Sequence, residues 1–377
     1  MTVYDIDIVG TCNLKCAGCP VGIVGDLDRS KGFMEPDYFE KLVNQIASRH
    51  PKNEIYVELF NWGEPLLHPR IGDIIKVLKQ HDINHQVSSN FNVHRNIREL
   101  VEAAPTSVRV SMSGASQEIY SRAHVGGDVR LVISNLYLLR HLMDKKKKCF
   151  DVEVHYHLYR DNLGSEIRRI ADLAKELGFR FHPGEAFFML PVDSFLFNDK
   201  IALLESKEAR FIERMLVKPA ESAAIRKKYL KGKDCVLRSN QFAINYDGSV
   251  SLCCAAYSSG ANVSSNFLET PVADVQSARY KHEVCTQCFA RGLAMDSYED
   301  GSKREIRGLL ARRVAEIDKQ SLPYIFPDNV ELTDYIWDEG AYLRRYHDVA
   351  EAIRLGQLSS GLQHYRTFGR AEGRSIL

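Results

Sequence analysis

The sequence has almost no excess of charge of either sign. Its 50 lysine and arginine residues stand against 49 aspartate and glutamate residues, which gives a net charge of +1. This balance excludes the concentrated positive charge on which nucleic-acid binding depends. No stretch approaches the roughly 18 uncharged apolar residues of a membrane span, and the N-terminus lacks the basic start and apolar run of a signal peptide. We therefore expect a cytoplasmic protein of two or three domains.

Cysteine, in contrast, occurs nine times. Cytoplasmic thiols stay reduced, so clustered cysteines there indicate metal binding or catalysis. A first group has CxxxCxxC spacing and comprises Cys12, Cys16 and Cys19. A second group lies far along the chain and comprises Cys235, Cys253, Cys254, Cys285 and Cys288. Cys149 stands alone at the expected start of a strand, and we interpret it as a small buried hydrophobic residue.

The first group favours an iron–sulfur cluster with one open iron. Three thiolates so close together cannot complete a structural zinc site, which normally takes four ligands. They can hold three corners of a 4Fe–4S cube, and the fourth iron is then free to coordinate a small molecule. Zinc with a distant fourth ligand is the alternative, and a disulfide is disfavoured by the compartment and by the tight spacing.

The second group offers four ligands for another metal centre. Cys235, one cysteine of the Cys253-Cys254 pair, and the Cys285-x-x-Cys288 pair fit zinc or an iron–sulfur cluster equally well by ligand count. Adjacent strand residues point to opposite faces, so only one of the paired cysteines is expected to bind. Between apolar runs at 241–245 and 249–252, an Asp-Gly turn predicts a β-hairpin. We expect linker helices and a small metal-stapled domain across 201–300.

The first 200 residues have the pattern of a parallel β/α sheet. Strands that alternate with helices are predicted at 4–9, 54–60, 84–89, 107–113, 151–159 and 180–188. This length suits an open, partial (β/α)6 barrel at 1–200, with a helical C-terminal extension at 301–377. The unusual residues follow the strands, at the edge where such folds place their chemistry.

These residues together resemble the radical S-adenosylmethionine (SAM) superfamily. Its cluster loop is similar to Cys12-Asn-Leu-Lys-Cys16-Ala-Gly-Cys19-Pro20, and its GGEP segment, which receives the SAM amino group, is similar to Asn61-Trp-Gly-Glu-Pro65. The segment from Ser111 to Tyr120 is similar to its strand-four segment near the SAM ribose. The resemblance implies SAM contacts from Gly63, Glu64, Pro65, Ser89, Asn90, Ser111 and Ser113. Three positions depart from the family pattern, and they are Gly18, Trp62 and Ser113.

The C-terminal cysteines resemble the SPASM/twitch extensions of the same superfamily. The Gly248-x4-Cys253 spacing favours Cys253 over Cys254. One set of four cysteines implies a single auxiliary 4Fe–4S cluster, and iron–sulfur is then favoured over zinc. The implied ligands are Cys235, Cys253, Cys285 and Cys288.

The resemblance also implies a reaction. SAM would be cleaved reductively to a 5′-deoxyadenosyl radical, with an electron donor such as flavodoxin or ferredoxin, and the radical would take a hydrogen atom from the substrate. An auxiliary cluster that accepts an electron would make the outcome an oxidation. A hydrogen donor would make it an epimerisation, and the spare thiol of Cys254 is the candidate.

The substrate is less well indicated. The segment 342–374 is similar to a short tail of bacterial glycan-processing enzymes such as glycosyltransferases, which favours a saccharide-like or other small metabolite. Further candidates for catalysis or substrate contact are Glu58, His124, His155, His157, Arg160 and Glu185. Radical modification of a ribosomally made peptide is one alternative. A zinc-stabilised binding protein without catalysis is another.

Overall fold

The computed structural model describes residues 1–25, 31–186, 206–294, 301–327, 333 and 335–376. Its strands are β1 Thr2–Ile6, β2 Ile55–Glu58, β3 Asn84–Ser89, β4 Ser107–Met112, β5 Asp151–Leu158, β6 Arg180–Glu185, β7 Gln241–Ile244, β8 Val250–Ser251 and β9 Asn262–Ser264. They form one sheet in the order β6-β5-β4-β3-β2-β1-β7-β8-β9. The six strands from β1 to β6 pair in parallel, as expected for the partial barrel. The end of the sixth predicted strand, at 187–188, lies outside the described residues.

Helices connect the parallel strands. In the first half of the chain they are Pro20–Ile23, Pro36–Ala47, Ile71–Gln80, Ile97–Ala103, Gln117–Ser121, Val129–Lys146 and Ser165–Glu176. In the second half they are Ser206–Arg214, Pro219–Tyr229, Val236–Ser239, Val272–Lys281, Glu283–Arg291, Gly301–Asp318, Leu322–Ile325, Glu339–Arg345, His347–Arg354 and Gly361–His364. Among the described helices, none combines the length and the apolar character that crossing a membrane requires. The helices between Gly301 and His364 confirm the predicted helical C-terminal region.

The side chains of each parallel strand alternate between an apolar face and a polar face. On β2, Ile55 and Val57 are buried in the main core, together with Phe39 and Leu42 of a neighbouring helix. Glu58 has the opposite parity and is only half-buried. Successive strand residues point to opposite faces, so one face of the sheet packs on the helices and the other is the inner face of the partial barrel.

The predicted hairpin is present and extends the main sheet. β7 and β8 pair antiparallel, which confirms the expectation from the Asp-Gly turn. β7 also pairs in parallel with β1, with Asp5 opposite Ala243 and Val3 opposite Gln241. The cysteine-rich segment is thereby connected directly to the first strand of the barrel. The domain boundaries at 200 and 300 stay a prediction.

The end of the chain forms a small aromatic cluster of its own. Tyr342, Val349 and Tyr365 are buried together, with Trp337 and Tyr346 packed against them. The carboxylate of Asp348 forms an ion pair with Arg374. This cluster carries the 342–374 segment whose resemblance suggested a glycan context.

Candidate active site

The three N-terminal cysteines lie together in the loop that follows β1. Two backbone hydrogen bonds, from Lys15 to Val125 and from Ala17 to Ala123, tie this loop to the segment beyond β4. Gly22 packs against this loop so closely that no side chain fits, because a Cβ there would lie 2.1 Å from the carbonyl oxygen of Cys16. The loop is therefore held by the barrel as well as by its own turns.

The thiols of this loop are buried close to one another. Burial, followed by the charge of Glu64, raises the pKa of Cys12 to about 12. Burial and the neighbouring Cys19 and Cys12 raise the pKa of Cys16 well above its usual value. Ionised thiols here would need a cation, and a metal centre provides one.

The spacing of the sulfur atoms decides which kind of metal centre fits. Tetrahedral zinc, with Zn–S bonds of about 2.3 Å, holds its sulfurs only about 3.8 Å apart. Within the described part of the chain, no three cysteine sulfurs lie within 4.8 Å of one another. A four-iron cube holds thiolates further apart, because each thiolate binds a different iron. The first cysteine group can therefore supply thiolates to three irons of such a cube, and the second group can supply all four.

The segment after β2 is fastened beside the cysteine loop. The carboxylate of Asp7 accepts hydrogen bonds from the backbone N–H groups of Trp62, at 3.2 Å, and Gly63, at 3.0 Å. A Cβ at Gly63 would lie 1.7 Å from the carbonyl oxygen of Val9, so only glycine fits. Asp7 has no counterpart among the predicted site residues. The sequence indicates Asp7 only through the alternation that continues from β1, because residues two apart in an extended chain lie on the same face and Asp7 is two residues after Asp5.

Glu64 joins the ends of β2 and β3. Its carboxylate accepts from the Ser89 hydroxyl at 2.6 Å, from the Asn90 N–H at 2.9 Å and from the Leu66 N–H at 2.9 Å. Burial raises the pKa of Glu64 to about 7 despite these hydrogen bonds. The Asn90 amide reaches the Cys12 sulfur at 3.7 Å. The structure thus brings Glu64, Ser89 and Asn90 together beside Cys12, and Pro65 begins the turn that follows Glu64.

A chain of hydrogen bonds leads from β5 to the cluster loop. His157 Nδ1 lies 3.2 Å from the Met112 carbonyl, which only accepts, so this nitrogen carries its proton. Ser113 Oγ lies 3.5 Å from the same nitrogen and 2.9 Å from His124 Nε2. His124 Nδ1 lies 3.6 Å from Cys16 Sγ. Burial lowers the pKa of His124 to about 4, so the ring is neutral and has one N–H.

Ser113, where the family usually has an acidic residue, therefore has a local partner in His124. Because His157 Nδ1 carries a proton, the Ser113 hydroxyl does not have to donate to it. The hydroxyl can instead donate to His124 Nε2. His124 then directs Nδ1–H at Cys16. Its ring also stacks on Tyr120, with centroids 4.6 Å apart.

Charged side chains continue along the inner face of β4, β5 and β6. Arg109, on the same strand as the predicted SAM contact Ser111, pairs with Glu153 at 3.1 Å, and Arg180 pairs with it at 2.9 Å. Burial opposes ionisation of Glu153, but hydrogen bonds to His155 and His182 hold its pKa well below the usual value. Glu153, His155 and His182 together have the composition of a divalent-metal site. The two guanidinium groups already satisfy the charge of its carboxylate.

An acidic pair and a thiol lie on the opposite side of the inner face. Asp5 and Glu58 are register partners on β1 and β2. Asp5 Oδ2 accepts from Gln241 Nε2 at 2.5 Å, and Cys254 Sγ donates to Gln241 Oε1 at 3.7 Å. Burial, followed by the charge of Asp5, raises the pKa of Cys254 well above its usual value. The Cys254 thiol therefore stays protonated while part of the residue's surface remains accessible.

The four cysteines expected to hold the auxiliary cluster surround one cavity. Cys235, Cys253, Cys285 and Cys288 line it together with apolar residues such as Leu252 and Val284, and Cys254 does not. Burial raises the pKa of Cys253 to about 12. Cys253 and Cys254 lie in a turn after β8 and not in the strand expected from the sequence, yet the two thiols are separated, because Cys253 lines the cavity and Cys254 donates to Gln241.

Arg279 is an unexpected part of this region. It is fully buried, and its Nε and Nη2 atoms have no hydrogen-bond partner among the described residues. Burial lowers its pKa, while the charges of Cys253 and Cys285 act in the opposite direction. A buried guanidinium requires negative charge nearby. A cluster bound by four thiolates is anionic, so the donor set and Arg279 fit it together.

Glu185 and Arg160, which were predicted as candidates for catalysis or substrate contact, lie outside the groups of residues described above. Glu185 ends β6, where burial raises its pKa to about 7 against the charge of Arg226. Arg160 is exposed, and its backbone N–H donates to the Arg214 carbonyl at 2.8 Å. The sequence signal for Arg160 was only its position at the end of a strand.

Residues 6–184 match the family model of the radical SAM superfamily. The chain therefore contains a radical SAM domain, which implies a 4Fe–4S cluster and SAM as cofactors. A protein with this domain is an enzyme that requires a reductant and a substrate. No curated protein matches the sequence significantly.

Solved structures with this fold are similar to the chain only at a distance. The anSMEcpe structure with bound AdoMet is 16% identical and covers 93% of this chain and 99% of its own, with a TM-score of 0.47. Streptococcus suis SuiB bound to S-adenosylmethionine is 14% identical, covers 82% and 71%, and has a TM-score of 0.48. BtrN in complex with AdoMet and 2-DOIA is 14% identical, covers 78% and 88%, and has a TM-score of 0.41.

Proposed function

We propose that this protein is a radical SAM epimerase that inverts a carbon centre of a saccharide-like small molecule held on the inner face of the partial barrel. The observation that carries the proposal is the Cys254 thiol. It is half-buried, it donates a hydrogen bond to Gln241, which in turn contacts Asp5, and it does not line the cysteine-lined cavity.

The cofactors would be held by the residues already described. Cys12, Cys16 and Cys19 would hold the cluster, and the strand ends joined by Glu64 and Asp7 would receive SAM. When bound, the cluster and SAM supply a 5′-deoxyadenosyl radical that takes a hydrogen atom from a C–H bond of the substrate.

Cys254 would complete the epimerisation. Its S–H bond breaks, the hydrogen atom goes to the substrate carbon from the opposite face, and a sulfur-centred radical remains on Cys254. One electron from a reductant of the flavodoxin or ferredoxin type and one proton from solvent restore the thiol. In sum, SAM, the substrate, two electrons and one proton give methionine, 5′-deoxyadenosine and the epimer.

Oxidation is the second candidate, and the cysteine-lined cavity favours it. Cys235, Cys253, Cys285 and Cys288 would bind an auxiliary cluster there, in a cavity that Arg238 also lines. A substrate radical whose carbon has a hydroxyl group would lose one electron to that acceptor and one proton to solvent, and a carbonyl would form. Radical modification of a peptide remains an alternative substrate choice. Zinc binding without catalysis is a further alternative, but it would leave the match of residues 6–184 to the radical SAM family model unexplained.

Metal analysis of anaerobically reconstituted protein, with 5′-deoxyadenosine release under a strong reductant, tests the enzyme class. We expect about eight irons per chain, and about four irons with no release when Cys12, Cys16 and Cys19 are all replaced by alanine. Zinc without iron, or release that survives these replacements, would contradict the proposal.

Turnover of saccharides in D2O separates the two outcomes. Epimerisation places one solvent-derived deuterium on carbon, because the thiol proton exchanges with solvent. Cys254→Ala should abolish this incorporation, and Cys149→Ala is the matched control because Cys149 is exposed. A carbonyl product without deuterium would establish oxidation instead.

A further inference from the structure

Three hydrogen-bond acceptors lie side by side on the inner face. Asp5 of β1 is the register partner of Glu58 of β2, and Glu58 is the register partner of Gln86 of β3. Asp5 is 2% exposed and Gln86 is 6% exposed. We refer to Asp5, Glu58 and Gln86 as the acceptor row.

The acceptor row has oxygens that the described protein does not satisfy. Asp5 Oδ1 and Gln86 Oε1 are buried, and no donor among the described residues contacts them. The other polar atoms of the same side chains are paired, since Gln86 Nε2 donates to Ser107 Oγ at 3.4 Å and Asp5 Oδ2 accepts from Gln241. Buried polar atoms in folded proteins almost always have a partner.

The charge of the acceptor row is also uncompensated. Neither Asp5 nor Glu58 forms an ion pair with a described residue, and Arg279 acts on Asp5 only electrostatically, without a contact. On the other side of the inner face, the carboxylate of Glu153 is paired with Arg109 and Arg180. Burial, followed by the charge of Glu58, raises the pKa of Asp5 well above its usual value, so the two carboxyl groups share a proton and keep one negative charge without a cationic partner among the described residues.

The acceptor row lies next to the proposed hydrogen donor. Gln241 contacts Asp5 through its amide nitrogen and Cys254 through its amide oxygen. A ligand bound to Asp5 is thereby placed close to the Cys254 thiol. The Asp5 carboxylate and the Cys254 sulfur therefore contact the same side chain, that of Gln241.

We propose that the acceptor row binds the substrate through the substrate's own hydrogen-bond donors, and that the substrate is a sugar-sized molecule with an ammonium group beside hydroxyl groups. This inference rests on the proposed function, which places the substrate on the inner face. An ammonium group provides three donors and one positive charge for the adjacent carboxylates. A hydroxyl group satisfies Gln86. A proton shared between Asp5 and Glu58 is displaced when the ammonium group binds, and an anionic sugar is repelled.

Calorimetric titration of the reconstituted full-length protein with SAM, under anaerobic conditions, tests this site. The probes are glucosamine, glucose and glucuronate, which share a ring and differ in charge. We expect glucosamine to bind, glucose to bind at least about tenfold more weakly, and glucuronate not to bind. Glucosamine that fails to bind, or glucuronate that binds as well as glucosamine, overturns the inference.

Variants connect the binding to the acceptor row. Asp5→Asn and Gln86→Leu should each weaken glucosamine binding by about tenfold or more, because each removes an acceptor. Asp172→Asn, on an exposed helix position, is the matched control. Circular dichroism verifies folding, and Glu58→Gln replaces any variant that does not fold. Unchanged affinity in folded variants overturns the inference.

A parallel assay keeps the two proposals apart. Release of 5′-deoxyadenosine by the wild-type protein without selective sugar binding would overturn the acceptor row alone. Absence of that release would overturn the proposed function, whatever the titrations show.

Discussion

His124 Nδ1 lies 3.6 Å from Cys16 Sγ, while Nε2 of the same ring lies 2.9 Å from Ser113 Oγ. This geometry directs an imidazole N–H at a sulfur that is expected to bind iron. Hydrogen bonds to cluster sulfurs stabilise the reduced, more negative state and so raise the reduction potential.

Replacement of His124 should therefore lower the potential of the SAM-binding cluster. For His124→Gln we expect a shift on the order of tens of millivolts to more negative values. An EPR-monitored redox titration measures it, and exposed His141→Gln is the matched control. An unchanged potential would show that His124 serves only packing.

Gly63 should tolerate no side chain. In Gly63→Ala the new Cβ would lie 1.7 Å from the Val9 carbonyl oxygen, so the segment after β2 must move away from the cluster loop. We expect SAM binding to be lost, as measured by equilibrium dialysis. Gly72→Ala is the control, because its nearest contact is 3.8 Å away in a helix, where alanine stabilises by about 0.5–1 kcal/mol. Equal SAM affinity in both variants would contradict the prediction.

Glu185 should make the stability of the protein depend on pH. Burial raises its folded pKa from 4.5 to about 7, so the folded state holds a proton that the unfolded state has lost. The free energy of unfolding should fall as the pH rises from 4.5 to 7 and then level off.

Glu185→Gln removes this titration and should stabilise the protein at pH 8 by about 3 kcal/mol, with little effect at pH 4.5. Urea unfolding at both pH values measures it. Exposed Glu99→Gln is the control. The same change at both pH values would point to packing and not to charge.

Arg279 should affect the apo and cluster-bound proteins in opposite ways. Arg279→Met removes a buried, incompletely paired cation, so the unfolding free energy of the apo protein should stay equal or rise. The potential of the auxiliary cluster should fall, because a nearby positive charge favours the more negative reduced state.

The variant that lacks Cys12, Cys16 and Cys19 is the background for this titration, since it would carry only the auxiliary cluster. Exposed Arg98→Met is the control. An unchanged potential would show that the charge of Arg279 does not act on the auxiliary cluster.

The local elements were largely predictable from the sequence. The helix expected at 36–49 is present at Pro36–Ala47, and the hairpin around Asp247-Gly248 is present as β7 and β8. The first strand was expected at 4–9 but is Thr2–Ile6, and Val9 forms an isolated bridge with Phe33 instead. Periodicity identifies an element well, but hydrogen bonds from distant residues decide where it ends.

The contacts of the candidate site were less predictable. Glu64, Ser89 and Asn90 were expected near SAM, but their hydrogen bonds to one another have no local signature. Arg279 carried no signal at all, because an arginine in a helix is ordinarily exposed. Its burial becomes visible only in the folded protein, where it donates to the Gln241 carbonyl and lies over the Phe242 ring.

The sequence by itself determined the cysteine spacing, the strand alternation that makes one sheet face apolar, and the order of motifs along a parallel β/α chain. These features depend on residues close to one another, and periods of two and 3.6 record them. Only the tertiary structure decided that β7 pairs with β1, which brings Gln241 to Asp5 across 236 residues. The return of a distant strand depends on the packing of the whole sheet, and no local pattern encodes which edge it joins.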